Sequence, residues 1–471
     1  MSCRADVGAT ARIYCRKLVG SLRWGWTMRV AIVVLVSLCA VMLASAGRPR
    51  EPGHDPERPD WVYGWERNFA PDGTPRRLRD TRDITVWPNV RSRANSDDWI
   101  ARNQDRIRVM RPRLLVLNFS NQVEPAKPLQ IARDLIAALR ESSRYHGYKD
   151  PSAPAFLEYS VWRYVDLREP DRTVGNSSAA PIKPHVQAPH INCDYGAFFS
   201  EEFAAHIGVR DPRNRSRFLR LDELVDRGFV HEVWFTAAAA GDFRTLECVE
   251  LKPVYDEQFR KVPGKHVQAG NGGDEDQPWT GRSVRLNSLN HERGIGCGME
   301  NLAHSFEGMA HSRAIPYFTK YFHEFAGFDL DRRFGLPFNS FYPLWGEGKG
   351  ISYPDPNTAV VTDGERTWTL RNYVAAAGNV HFPPNARRHY DQANSAPVMS
   401  TIEDWRIGSG PDGRDLAKPW TNAVLQQYEA LAPDCMGKWL VYWRQNVPGY
   451  RNRARDDAGR PMRNWWVYLF F

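Results

Sequence analysis

Unbroken apolar runs alternate with segments in which apolar residues recur every three or four positions. Leu114-Leu115-Val116-Leu117-Asn118-Phe119 is unbroken, as expected of a strand covered on both faces. Pro128 to about Tyr145 follows with Leu129, Ala132, Leu135, Ile136 and Leu139 at helical spacing, and Pro128 suits a first turn. Residues 156–165 read as a second strand, Leu221 to Val225 as a short helix and His231 to Thr236 as a third strand. Val284 to Leu289 reads as a fourth, running into a long helix from about Arg293 to Ala310. Strands alternating with helices predict an α/β fold: a mostly parallel sheet with helices on both faces. Beyond about Phe328, Pro, Gly, Asn and aromatics replace the periodic pattern, which predicts long loop-rich C-terminal excursions. The closing Asn464-Trp465-Trp466-Val467-Tyr468-Leu469-Phe470-Phe471 is too apolar for a free tail and is expected to dock on the core, as a last strand.

The first part of the chain has a different pattern. Ala31 to Leu43 is apolar, with Arg23 and Arg29 before it and Ala44-Ser45-Ala46 after it. A basic segment, a short apolar segment and an A-x-A site predict a secretory signal over residues 1–46, with Met28 an alternative start. An uncleaved membrane anchor over residues 28–46 is the rival reading. Residues 47–110 then form a linker and an irregular arm, and residues 111–471 a single α/β domain. The leader carries six basic residues and one acid, so its removal lowers the net charge from +8 to +3. No basic stripe remains, and nucleic acid is not an expected partner. With 42% hydrophobic and 12% aromatic residues the chain is globular. Cys193, Cys248, Cys297 and Cys435 lie outside the leader. They allow two disulfides in three connectivities, or stay as buried thiols.

The chemistry concentrates on the long helix. Glu300, His304, Glu307 and His311 share one stripe of it, rotated about 100° from the apolar residues Ile295, Met299, Leu302, Phe306 and Met309. Carboxylates and imidazoles so spaced suit a divalent metal, with Glu300, His304 and Glu307 as ligands, or a general acid/base pair. A solvated helix face with Glu–His pairs is the simpler alternative. Just before the helix, Glu292 is a candidate base and Arg293 an anion clamp, while Gly294, Gly296 and Gly298 suit close backbone approach or plain helix-start punctuation. Val380-His381-Phe382-Pro383-Pro384-Asn385 is a proline-stiffened loop that presents His381, and Arg244 and Glu247 are candidates by position after the third strand. His323-Glu324 lacks the second His of a metalloprotease helix, since Gly327 stands there. A G-x-S-x-G elbow and a P-loop are both absent from the sequence.

These segments together resemble a group of uncharacterised secreted bacterial proteins. The resemblance rests on Asn290-x-Glu292-Arg293-Gly294, Glu300-x-x-x-His304-x-x-Glu307, the His381 loop and Asn464-Trp465-Trp466, and spans roughly Arg113 to Phe471. The chain departs from it at Ala303-His304-Ser305, where Gly-His-Arg is expected. The resemblance groups these residues and implies no reaction.

Two functions follow as expectations. The first is an exported hydrolase of extracellular peptide or polysaccharide. Its catalytic residues would be Glu292, Arg293, Glu307 and His381, acting with or without a divalent metal. The second is a non-catalytic secreted protein that binds a glycan or a cell surface, with Trp345 as an aromatic platform. Convergence of His381 on the Glu300–His304–Glu307 stripe would separate the two.

Overall fold

A computed structural model describes residues 64–92, 96–172, 175–187, 189–238, 241–271, 276–337, 348–408 and 415–471. The expected signal or anchor, most of the linker and Trp345 lie outside the described residues. Among the described residues no helix is long and apolar enough to cross a membrane.

The central sheet has six strands: β1 (Arg113–Asn118), β2 (Ser160–Asp166), β3 (Glu232–Ala237), β4 (Cys248–Tyr255), β5 (Lys261–Gln268) and β6 (Val284–Asn290). Their spatial order is β2-β1-β3-β6-β4-β5. The first four are parallel, while β4 lies antiparallel to β6 and β5 antiparallel to β4. The sheet is therefore mixed, which corrects the expectation of a mostly parallel one. A short turn around Phe259 joins β4 to β5 as a hairpin, and so short a connection permits only antiparallel pairing.

Alternation along the strands builds two cores. Leu114, Val116, Trp234 and Leu289 face one side, where the helices α1 (Ala126–Ser142), α2 (Ile295–Ser312), α3 (Pro316–Ala326) and α4 (Gly437–Asn446) pack. Leu115, Leu117, Val233, Phe235 and Leu286 face the other, against Phe203, Ile207, Leu221 and Leu224 of two short helices. Helices thus cover both faces.

The C-terminal half holds more regular structure than its composition suggests. Lys349–Asp355, Thr358–Asp363 and Arg366–Arg371 form a three-stranded antiparallel sheet. Helix α4 is buried from Trp439 to Asn446 on every side. The last segment docks as expected, but as a 3-10 helix (Trp465–Phe470) and not as a strand. The N-terminal arm is part of the same core: Trp87 packs on Phe470 at 5.2 Å between ring centroids, and Ile100 is fully buried.

One row of charge crosses the sheet inside the first core. Arg285 of β6 pairs in register with Glu232 of β3 and Glu250 of β4, all nearly solvent-free. Arg285 Nε lies 3.1 Å from Glu250, and Lys252 Nζ lies 3.0 Å from the same carboxylate. Both cations also reach the tail: Lys252 donates to the Phe471 carbonyl at 2.7 Å and Arg285 to the Leu469 carbonyl at 2.5 Å.

Candidate metal and acid/base site

Helix α2 presents its stripe to the loop at residues 378–390, and this contact makes the site. The loop is fixed by α4, whose Trp443 and Trp439 indoles donate to the carbonyls of Gly378 and Asn379 at 2.9 and 2.8 Å. Gly378 adopts φ +76°, and a Cβ there would sit 2.2 Å from the Phe382 carbonyl oxygen. Only glycine fits that turn. The loop then lies over α2: the Val380 N–H donates to Glu307 Oε1 at 3.0 Å, and His381 Nε2 lies 3.0 Å from Glu300 Oε1.

Convergence of the two distant segments is thus observed. The carboxylate of Glu300, an imidazole nitrogen of His304 and one of His381 lie within 4.8 Å of one another. Donors around a tetrahedral ion at about 2.1 Å sit roughly 3.4 Å apart, so small side-chain rotations would close the set. His304 is held from behind, its Nδ1 donating to Glu307 Oε2 at 2.8 Å. In the neutral ring Nε2 then carries the lone pair, 3.8 Å from Glu247 Oε2. A carboxylate behind a ligating imidazole is the usual way to fix its tautomer. His381 is oriented differently: its Nε2 donates to Glu300, so His389, whose Nε2 lies 2.6 Å from His381 Nδ1, is the donor in that pair, and metal binding would require His381 to release its Nε2 proton.

The electrostatics favour a cation. Burial opposes charge on His304, but Glu307, Glu247 and Glu300 outweigh it and raise its pKa. Burial likewise opposes ionisation of Glu300, and hydrogen bonds from His381 and Tyr390 more than offset it, so its pKa falls below the ordinary value. Glu307 behaves in the same way, with His304 as the main stabiliser. His389 is pushed down to about 4, first by burial and then by the adjacent His381. The result is a cluster of ionised carboxylates around imidazoles, a field that a divalent ion would satisfy.

Beside this cluster lies a cavity of about 230 Å³ beyond the carboxyl ends of β3 and β6. In open α/β sheets ligands collect at such a crevice. Its lining includes Arg244, Glu247, Asn290, Arg293 and Asn301. Glu247 links cavity and cluster, with its Oε2 3.8 Å from His304 Nε2. Arg244 sits on a fixed loop, since its N–H donates to the Asn192 side chain at 2.7 Å and its carbonyl accepts from Asn192 and Cys193.

The expected residues divide as follows. Glu300, His304 and His381 meet at one point. Glu307 meets His304 at Nδ1 and is not among the converging donors. His311 leaves the group and packs near Phe328 and His323 at 5.2 and 5.6 Å, because the loop meets only the earlier turns of α2. Glu292 is exposed and sits 3.5 Å from His291, away from the trio, while Arg293 lines the cavity. The glycines serve packing. Gly296 donates to the Asp434 carboxylate at 2.9 Å, and a Cβ on it would lie 1.9 Å from the Asp434 carbonyl oxygen. Cys297 and Cys435 form a disulfide, whereas Cys193 and Cys248 are buried thiols.

Two contributors were given no role from the sequence. His389 carries no helix or strand periodicity, because its pairing depends on the loop's path. Tyr390 donates its hydroxyl to Glu300 at 2.5 Å from a left-handed turn at φ +62°. A histidine eight positions after another in a proline-stiffened loop is the signal that could have found the first.

No family model, curated protein or solved structure matches the chain.

Proposed function

We propose that this protein is an exported, metal-dependent hydrolase, with Glu300, His304 and His381 holding a divalent cation next to the cavity, across Glu247 from it. The observation that carries this reading is the meeting of these three donors with His304 already oriented by Glu307. Two imidazoles and one carboxylate are a donor set used by catalytic zinc, which keeps one position open for water or substrate. Such an ion would acidify a bound water and polarise a carbonyl or glycosidic centre.

The chain's own groups supply the rest. Glu247 lies between the trio and the cavity, where its carboxylate can take a proton from the attacking water. Tyr390 donates to Glu300, and with that carboxylate engaged its hydroxyl can turn toward developing negative charge. Arg244 and Arg293 offer the cavity two guanidinium groups for orienting a polar substrate. A cavity of this size takes one residue-sized unit, in keeping with a substrate that is an extracellular peptide or polysaccharide.

The test is metal analysis of the purified protein combined with hydrolysis assays on peptide and polysaccharide panels. One equivalent of a divalent metal, with turnover lost on chelation and restored by adding metal back, is expected. His304→Ala and His381→Ala should each lose both metal and turnover. Wild-type protein that takes up no metal, or turnover unchanged in His304→Ala, refutes the reading.

A further inference from the structure

The disulfide Cys297–Cys435 stands directly beside the cluster, and Glu300 belongs to both neighbourhoods. The two sulfurs and the Glu300 carboxylate lie within 4.8 Å of one another, the same limit that holds for Glu300, His304 and His381. Cys435 is exposed while Cys297 lines the cavity, so a small reductant can reach the bond. The sulfurs are brought together by backbone packing as well as by their covalent link. A Cβ on Gly437 would sit 2.8 Å from the Gly296 Cα, so the start of α2 and the turn before α4 touch main chain to main chain. The Gly296–Asp434 hydrogen bond ties the same two segments at 2.9 Å. These contacts do not need the disulfide, and they leave two thiols side by side once it opens.

We infer that Cys297, Cys435 and Glu300 form a second, redox-gated metal site for a thiophilic divalent cation such as zinc. Opening it consumes two electrons: two molecules of a small thiol reduce the bond, leaving two protein thiols and one small-molecule disulfide. Binding then releases two protons as both thiols coordinate as thiolates. The donor set changes from imidazole and carboxylate to thiolate and carboxylate, which shifts preference toward softer ions. Glu300 is the shared group, so an ion on the sulfurs competes with one held by His304 and His381. This site stands on its own geometry, whether or not the histidine trio holds a metal.

Cobalt(II) provides the probe, because thiolate ligation adds a near-ultraviolet charge-transfer band that imidazole and carboxylate do not. The full chain is titrated oxidised, and again after reduction with dithiothreitol and anaerobic desalting. The band is expected only in the reduced protein, and is expected to vanish in Cys297→Ser and in Cys435→Ser. Glu300→Gln should weaken binding to the reduced form by at least about tenfold, the scale on which changes around a metal site act. The buried Cys248, its thiol pushed up to about 12 chiefly by burial, is not expected to contribute. Absence of the band in reduced protein with native near-ultraviolet dichroism overturns the inference, as does a band that survives Cys435→Ser. Loss of the fold on reduction overturns it too, since the backbone contacts must then be insufficient. Cobalt binding by the oxidised protein, lost in His304→Ala, reports separately on the histidine trio.

Discussion

Glu307→Gln is the substitution that best probes how the site is organised, because it keeps size and shape while reversing one hydrogen bond. In the wild type both carboxylate oxygens are used: Oε2 accepts from His304 Nδ1 at 2.8 Å and Oε1 accepts from the Val380 N–H at 3.0 Å. The backbone N–H can only donate, so a glutamine must turn its carbonyl oxygen toward Val380. Its NH₂ then faces His304 Nδ1, which has to become an acceptor. The imidazole proton moves to Nε2, and the nitrogen left for a metal loses its lone pair. Restoring the ligating tautomer would leave two donors opposed in a site where the Glu307 side chain is 14% exposed, at a penalty of about 1–3 kcal/mol for an unmet buried hydrogen bond. The expected result is about 10–100-fold weaker metal binding, with the protein still folded. Competition against a chromophoric chelator measures the affinity, and thermal melts of metal-free protein check the fold. Glu307→Gln binding metal within about threefold of wild type, well short of that range, would refute the tautomer argument. The trio would then be a set of neighbours and not an oriented set of ligands.

Three further outcomes are expected. Gly378→Ala should weaken metal binding as much as His381→Ala does, although it alters no site side chain, because the added Cβ meets the Phe382 carbonyl and displaces the loop; unchanged affinity would mean the loop does not position His381. Glu250 has its pKa lowered to about 2, since Lys252 and Arg285 override the burial that opposes its charge. Its stabilisation is therefore complete above about pH 4.5 and is lost as the pH falls toward 2, so Glu250→Gln should melt lower than wild type at neutral pH and show a shallower acid decline. Replacing Cys297 and Cys435 by Ser releases a sequence separation of 138 residues, for which chain entropy sets an upper limit of about 5 kcal/mol; urea midpoints of the double variant and the oxidised wild type read the difference.

The four parallel strands, the helix between β1 and β2, and α2 were legible in the sequence from apolar runs and helical spacing. The β4–β5 hairpin was not. Glu250, Lys252 and Pro253 interrupt the first strand, and Pro263 and Gly264 the second, so the buried ion pairs that join β4 to β6 hid it from an apolar pattern. Helix α4 escaped for the opposite reason: Trp439 to Asn446 are buried on all sides, which leaves no polar face to set a period. Within the site, Glu300, His304 and Glu307 were readable from helical spacing, and His381 from its stiff loop. The roles were less readable. Spacing places Glu307 beside His304 but does not say which nitrogen it meets, and it extends the stripe to His311 without showing where the covering loop ends.

The charged row in the sheet has a consequence for the order of assembly. Lys252 and Arg285 find their last acceptors in residues 469–471, across 219 and 184 positions of sequence. A chain made from its N-terminus holds all six strands of the central sheet long before it holds those carbonyls. Until residues 465–471 are made the first core therefore lacks part of its aromatic cover, and two buried cations held by Glu250 lack their carbonyl acceptors. Closure of that core waits for residues 465–471, which makes this segment a checkpoint on the whole fold.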